Sequence, residues 1–485
     1  MDELHEFLVR CLAAHREWII VTADGRSFPV ANSEIELDRS RNRLMIGFPL
    51  DQGFENWRIA DLKTAGVEIR LDLTRDLGRR TTRIRLIPRA SFSELQTSVE
   101  LARLETANRV AALLARSFPR SKVRRAALNR ENGRFAQIEF SLAGAARACI
   151  ADVTDSLTPE FLMSAACFWL AKLERRKKYP ARSVMIIAGE RVANALSKLH
   201  ALLRADWKQR VTIVAQRADG ELEPMAELVP DDLWGGKIQP VRLPSSAEPS
   251  EIARQLINLA PDEIDAVFAR NGETIRFHGL AFARIRRLFG AERAWFGTER
   301  HRRPLTSASL PELAAMIDEL REFRRHGSPN RRHAFYETAP EAWLESRLRR
   351  DIHRLDANLI LSPVYHQFRA DRDKIDLLAL RRDGRLVIIE LKVEPDREVI
   401  FQTVDYWRKI ERIRRAGALK DARLFGDLEI ADAPAICYLV APTLAFHRDF
   451  DFSASLVSRE VEIHRFNLAE DWRRRIRVLE RRRVV

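Results

Sequence analysis

Apolar and polar positions alternate with a period of two in four runs between Glu17 and Arg89: EWIIVTA, RLMIGFP, GVEIRLDL and TTRIRLIPR, separated by Asp-Gly and other turn residues. That is the pattern of half-buried strands, so residues 1–91 are expected to form a small β-rich domain behind one short amphipathic helix. From Phe92 to about Gln216 the pattern becomes helix, two strands, helix, strand, helix, strand, as in a mixed α/β layer. The same order recurs between about Thr338 and Phe466. The chain therefore divides into 1–91, an α/β domain over 92–220, a mixed connecting region over 221–335 and a second α/β domain over 336–485. The connecting region holds a loop with Gly235, Gly236, Pro240, Pro244 and Pro249, then the helix SLPELAAMIDELREFRR; the basic, turn-rich stretch Arg324–His333 is expected to be an exposed linker.

The most informative pattern is KIDLLALRRDGRLVIIELK, Lys374 to Lys392, where two apolar strands flank Asp383-Gly384. If Arg382, Asp383 and Gly384 form a three-residue loop with Gly384 left-handed, Arg381 pairs with Arg385 and Asp376 lies opposite Glu390. A two-residue loop would put the two acids on opposite faces, because a one-residue slip inverts the alternation. Glu390 and Lys392 are two apart on one strand and leave it on the same side. Two acids and an amine among Leu377, Leu378, Val387, Ile388 and Ile389 are costly to bury without a partner. A divalent cation with hard oxygen ligands, Mg²⁺ or Mn²⁺, suits the acids. Such an ion can bridge a scissile phosphate and acidify water, with Lys392 orienting or deprotonating that water or offsetting phosphate charge. Downstream, Gln402 and Tyr406 lie four apart on one face of the helix expected in VIFQTVDYWRKIERI.

In Asp376, Glu390-Leu391-Lys392 and the Gln402/Tyr406 pair, the last third of the chain resembles the PD-(D/E)XK nuclease superfamily, and more narrowly its RecB-like branch with a Q-x-x-x-Y helix. Ile375 stands where that family often has proline. The resemblance implies a restriction-endonuclease-like αβββαβ core. It implies Asp376, Glu390 and Leu391 in the metal-ligand set, Lys392 in catalysis, and Gln402 with Tyr406 steadying the site and the DNA backbone. It also calls for an acid on the preceding helix. Glu341 is assigned to a capping box with Thr338 as N-cap; Glu345, one turn further in, is preferred as the third acid and metal ligand.

The earlier α/β stretch reads as a degenerate copy. Ile138-Glu139-Phe140 falls on Ile375-Asp376-Leu377, Asp152 on Glu390 and Thr154 on Lys392, while Ser164 and Phe168 take the places of Gln402 and Tyr406, and Glu105 parallels Glu345. Without an amine at Thr154, this copy is expected to clamp DNA or pack against its neighbour, although Glu139 and Asp152 could still hold a metal.

Composition narrows the picture further. With 46% hydrophobic and 31% charged residues the chain is globular, and its 485 residues exceed one ordinary core. The net charge of +14, 83 basic against 69 acidic residues, favours a polyanion. The alternating arginines of Arg80–Arg89 could face nucleic acid or form the wet face of a sheet. The tail DWRRRIRVLERRRVV could follow phosphates or end a solvated helix, and Trp295 and Phe296 could stack on bases or fill a core. No GxxxxGK[ST] loop, no zinc-type histidine pair and no roughly twenty-residue apolar span is present, so nucleotide hydrolysis, a zinc site and a membrane crossing are not expected. His353 and His366 are expected to be surface or helix-end residues. The acidic start MDELHEF lacks a signal-peptide pattern, so the expectation is a cytoplasmic DNA nuclease, an endonuclease in preference to an exonuclease, serving repair or defence. Its counterpart is a non-catalytic nucleic-acid-binding or scaffold protein that keeps the fold. RNA as substrate and a homodimeric assembly stay open.

Overall fold

A computed structural model describes the chain apart from residues 1, 24–25, 41–42, 51–52, 76–79, 90–91, 218, 237, 239–240, 242, 244–247, 270–271, 289–290, 298–301, 363–368 and 371–372. His366, Pro240 and Pro244 lie outside the described residues. The architecture is mixed α/β with four main sheets. No helix among the described residues is long and apolar enough to cross a membrane.

At the N-terminus, helix Asp2–Ala13 is followed by seven antiparallel strands between Glu17 and Pro88. Four of these strands are the period-two runs, and their alternation is realised: Ile69, Leu71, Leu73, Ile84 and Leu86 are buried, while Arg70, Asp72 and Arg83 point outward. Arg83 donates to Asp72 at 2.6 Å, and Glu68 takes Arg70 at 2.8 Å with Arg85 at 3.8 Å. Cross-strand carboxylates thus answer much of the arginine run, which favours the wet sheet face over a phosphate surface.

The first α/β unit contains α1 (Phe92–Ser117), β1 (Ser121–Leu128), β2 (Phe135–Leu142), β3 (Ala145–Asp152), α2 (Pro159–Glu174), β4 (Val184–Gly189), α3 (Glu190–Ala201), β5 (Val211–Gln216) and β6 (Leu222–Pro224). The second contains α4 (Pro340–Arg350), β7 (Leu359–Leu361), β8 (Leu377–Arg381), β9 (Leu386–Leu391), α5 (Val399–Arg415), β10 (Ile436–Pro442), α6 (Phe450–Ser455), β11 (Glu462–Leu468) and β12 (Val478–Arg483). Their six-stranded sheets run β6-β5-β4-β3-β2-β1 and β7-β8-β9-β10-β11-β12. The third strand of each pairs antiparallel with the second and parallel with the fourth, and the last strand of each is antiparallel. Parallel neighbours need a crossover helix, which α2 and α5 supply. One apolar core runs through both units, joining Leu162, Cys167 and Leu170 of α2 to Phe401, Val404 and Trp407 of α5. The basic tail is the edge strand β12 and not a helix end, with Arg481 on Asp356 at 3.0 Å and Arg482 on Asp451 at 2.6 Å.

The connecting region has its own core, an antiparallel five-stranded sheet between Ile264 and Pro304 flanked by helices Glu251–Asn258 and Leu310–Phe323. Phe296 belongs to that core and Trp295 is half-buried. This sheet grips α4. Arg276, buried, forks onto the half-buried Asp265 at 2.9 Å and reaches the buried Glu345 at 3.1 Å. Gly279, at φ +79°, lies so close to α4 that a Cβ would sit 1.9 Å from the Ala342 carbonyl oxygen.

Arg324, read as the start of an exposed linker, is fully buried. Its guanidinium donates to the carbonyls of Phe277, His278, Phe335, Thr338 and Ala339 and lies over the Trp343 ring at 4.8 Å. Burial, reinforced by Arg473 and Arg276, lowers its pKa to about 9. A planar group with five donors is suited to gathering carbonyls from several chain ends. The rest of the stretch is largely exposed, as expected of a linker.

Replacing Arg276 with alanine strands the buried Glu345 carboxylate and weakens the hold on the half-buried Asp265. Arg276→Ala is expected to cost about 3–5 kcal/mol in urea unfolding, and an unchanged midpoint would show that the fork does not hold α4.

Candidate active site

The turn between β8 and β9 has the three-residue form. The Arg381 amide donates to Arg385 and the Gly384 amide to Arg381, both at 2.8 Å, and Gly384 has φ +82°. The ladder runs from Leu380 opposite Leu386 to Leu377 opposite Ile389. One step further, Asp376 meets the Glu390 position, and its Oδ2 accepts the Leu391 amide at 2.9 Å. Glu390 follows Ile388 on the side of the sheet that faces α5 and the shared core. Lys392 Nζ lies 3.4 Å from Glu390 Oε1 and 2.9 Å from Asp396 Oδ2.

Electrostatics bind these groups together. Burial pushes the Glu390 carboxyl well above its ordinary pKa, and the Asp376 charge pushes it further against the pull of Lys392. Burial works against the charged form of Lys392, but Glu390 and Asp396 outweigh it and hold the ammonium more firmly than in water. Burial also raises Glu341, which feels Lys392 and Asp396 and is hydrogen-bonded to the Val393 backbone.

Glu341 is therefore the helix acid in this electrostatic cluster, and Glu345 is bound differently. Glu345 meets Arg276 at 3.1 Å and Arg349 at 3.8 Å, so the connecting sheet engages it. The capping box with Thr338 does not form. The N-cap is Ala339 in the left-handed region, with Pro340 in the first turn and no side-chain cap. Freed from capping, Glu341 turns toward the β9 end. Asp396 also went unrecognised; the signal available was an acid four residues beyond Lys392.

Beside these groups opens a small cleft lined by Glu390, Lys392, Asp396, Val440, Phe446 and His447, among others. His447 Nε2 lies 3.1 Å from Arg397 Nε, and Nδ1 lies 3.1 Å from the Asp449 amide nitrogen; a neutral imidazole accepts at only one of its two nitrogens, so one of these contacts is its hydrogen bond. Burial, with the Arg397 charge, lowers its pKa. On α5, Val399 in the first turn reaches the cleft wall, while Gln402 and Tyr406 lie one and two turns further along, both half-buried.

The first unit differs at the matching positions. Opposite Asp152 stands Phe135, not Glu139. Glu139 lies opposite Ala148 and is paired with Arg176 at 2.9 Å. Four residues along a strand is roughly 13 Å, so Glu139 and Asp152 do not form the shared metal pair considered from the sequence. Glu105 is exposed where Glu345 is buried.

Among the described residues no group of three His, Cys, Asp or Glu side chains is placed to hold a metal ion. Comparison with protein-family models, with curated proteins and with solved structures returns no match.

The raised Glu390 pKa has a pH signature. Folding stabilises its protonated form, so that contribution is complete below the unfolded value of about 4.3 and is lost as pH rises through the higher folded value. Without added metal, Glu390→Gln is expected to unfold about 2–4 °C higher than the parent at pH 8, the gap closing toward pH 4. A gap independent of pH would mean that Glu390 is not the strained group.

Proposed function

We propose that the chain is a metal-dependent nuclease that hydrolyses phosphodiester bonds of DNA at the open end of the β8–β9 hairpin. The observation that carries this is the hairpin register that brings Asp376 to the Glu390 position, with Lys392 Nζ 3.4 Å from Glu390 Oε1. Supporting it are the αβββαβ order of the second unit, which resembles the restriction-endonuclease-like core, and the net charge of +14.

The donor set fits a hard divalent cation. Mg²⁺ keeps several waters and needs only one or two carboxylates with substrate phosphate; Asp376 and Glu390 would hold it, with Leu391 between strand and site. Such an ion, when bound, supplies Lewis-acid stabilisation of the phosphate and a more acidic water. The chain's own residues do the rest. Lys392, held protonated by Glu390 and Asp396, offsets charge developing on phosphate oxygens, a role that suits it better than taking a proton from water. Glu341 adds a third carboxyl beside the amine, and Gln402 with Tyr406 would lie along the DNA backbone.

One observation favours the counterpart, a non-catalytic nucleic-acid-binding scaffold: the Lys392 ammonium already bridges Glu390 and Asp396. Incubation with single- and double-stranded DNA and Mg²⁺ separates the two readings. Lys392→Ala and Asp376→Ala are each expected to lower cleavage about 10²–10⁴-fold while DNA binding persists. Glu341→Gln should lower turnover without lowering the unfolding midpoint, whereas Glu345→Gln should lower the midpoint. Binding with no cleavage by the parent protein would favour the scaffold.

A further inference from the structure

The two α/β units meet as equivalent halves. Directly after α3 and after α6, the segments Leu202–Arg204 and Leu456–Ser458 run antiparallel, with Leu203 opposite Val457. The Arg204 amide donates to the Leu456 carbonyl at 2.8 Å, and the Ser458 amide donates to the Leu202 carbonyl at 2.8 Å. The paired bonds are those of any antiparallel bridge; because its two strands directly follow the matching helices α3 and α6, the bridge sets equivalent segments about a local two-fold axis. Helices α2 and α5 pack together within the single core already described. One chain therefore contains what two identical subunits would otherwise supply.

The halves differ where chemistry would occur. In the second, Asp376, Glu390 and Lys392 stand together. In the first, the residue opposite the acid is Phe135 and the amine position is Thr154. Both oxygens of Asp152 are committed: Oδ1 accepts the Thr154 amide at 2.8 Å and its hydroxyl at 2.9 Å, and Oδ2 accepts the Leu157 amide at 2.9 Å. Asp152 is a staple for the turn into α2. Instead of cutting, the first unit braces its neighbour's site loop. Ser164 Oγ donates to the Arg397 carbonyl at 3.1 Å, Thr158 Oγ1 to Glu398 at 3.4 Å, and Arg397 reaches Glu131 at 2.9 Å. That turn begins at Asp396, the partner of Lys392.

The strands of a DNA duplex are antiparallel and related by local two-fold axes, so a two-fold pair of hydrolytic sites can address both strands in one encounter, whereas a pair with one working site addresses one. We propose that this protein is an internal pseudo-dimer that nicks a single strand of duplex DNA per binding event. The proposal rests on the nuclease reading. In each event a water oxygen forms one bond to phosphorus and one phosphorus–sugar oxygen bond breaks. The leaving oxygen takes a proton, giving one phosphate monoester and one hydroxyl.

The test uses the full chain, limiting over closed-circular supercoiled plasmid with Mg²⁺, and follows the products by gel. Nicked circle is expected to accumulate first, with linear DNA appearing only after a lag as second hits fall near earlier nicks. Linear DNA as the initial product would overturn the proposal and leave the nuclease reading intact. Cleavage confined to single-stranded oligonucleotides would do the same. No cleavage of any DNA would remove both. A readout apart from activity is Mn²⁺ binding by calorimetry. The Asp376→Asn, Glu390→Gln double variant should lose specific binding altogether, and a residual site abolished by Asp152→Asn would show that the first unit is not vacant of metal chemistry.

Discussion

The register of the β8–β9 hairpin is the constraint on which the rest of the site depends. Gly384 closes the loop with a positive φ, and the space around it is shut: a Cβ would lie 3.1 Å from Ala431 and from the Glu429 carbonyl, and the Ala431 amide donates to the Gly384 carbonyl at 2.8 Å. A residue with a side chain would meet both backbone strain and a close contact there. With the loop fixed at three residues, the alternation along each strand decides which side chains meet, and it brings two acids to one place. Burial, and then the nearby Asp376 charge, raise the Glu390 pKa, and Lys392 pairs with Glu390.

Around that hairpin the protein uses arginine to fix what the second unit alone leaves loose. Arg276 ties α4 to the connecting sheet through Glu345, and Arg324 gathers carbonyls from both sides of the junction. Each guanidinium is buried where a lone charge would be costly, and each is answered by several oxygens. Helix α4 in turn carries Glu341 to the end of β9. The connecting region is therefore a bracing element with its own core, and the geometry of the acidic cluster depends on packing outside the unit that carries it.

The two α/β units share strand order, direction and a core but differ at matched positions. Phe135 lies opposite Asp152 where Asp376 meets the Glu390 position, Thr154 stands in the place of Lys392, and the Asp152 carboxylate accepts backbone amides. The remaining polar groups of the first unit, Ser164 and Thr158, touch the loop that carries Asp396. Apolar burial maintains the pair as a pair, and it does not require either end to be reactive.

Much of this was legible in the amino-acid sequence because it follows from local geometry. Period-two alternation marked four of the seven N-terminal strands, the Asp383-Gly384 turn marked a hairpin whose loop length the structure decided, and the order of elements pointed to two like units. Other features depended on partners distant along the chain. The Thr338 capping box was a sound local inference that Ala339 and Pro340 displaced once Arg324 held the surrounding carbonyls. Glu345 was the preferred helix acid from its place on the α4 face, but Arg276, 69 residues earlier, engages it. Glu139 aligned with Asp376 by count, yet the ladder set Phe135 opposite Asp152. Covalent spacing determines which residues share a strand face or a helix face, whereas the partner of a buried charge is chosen by which elements pack together, and only the tertiary structure decides that.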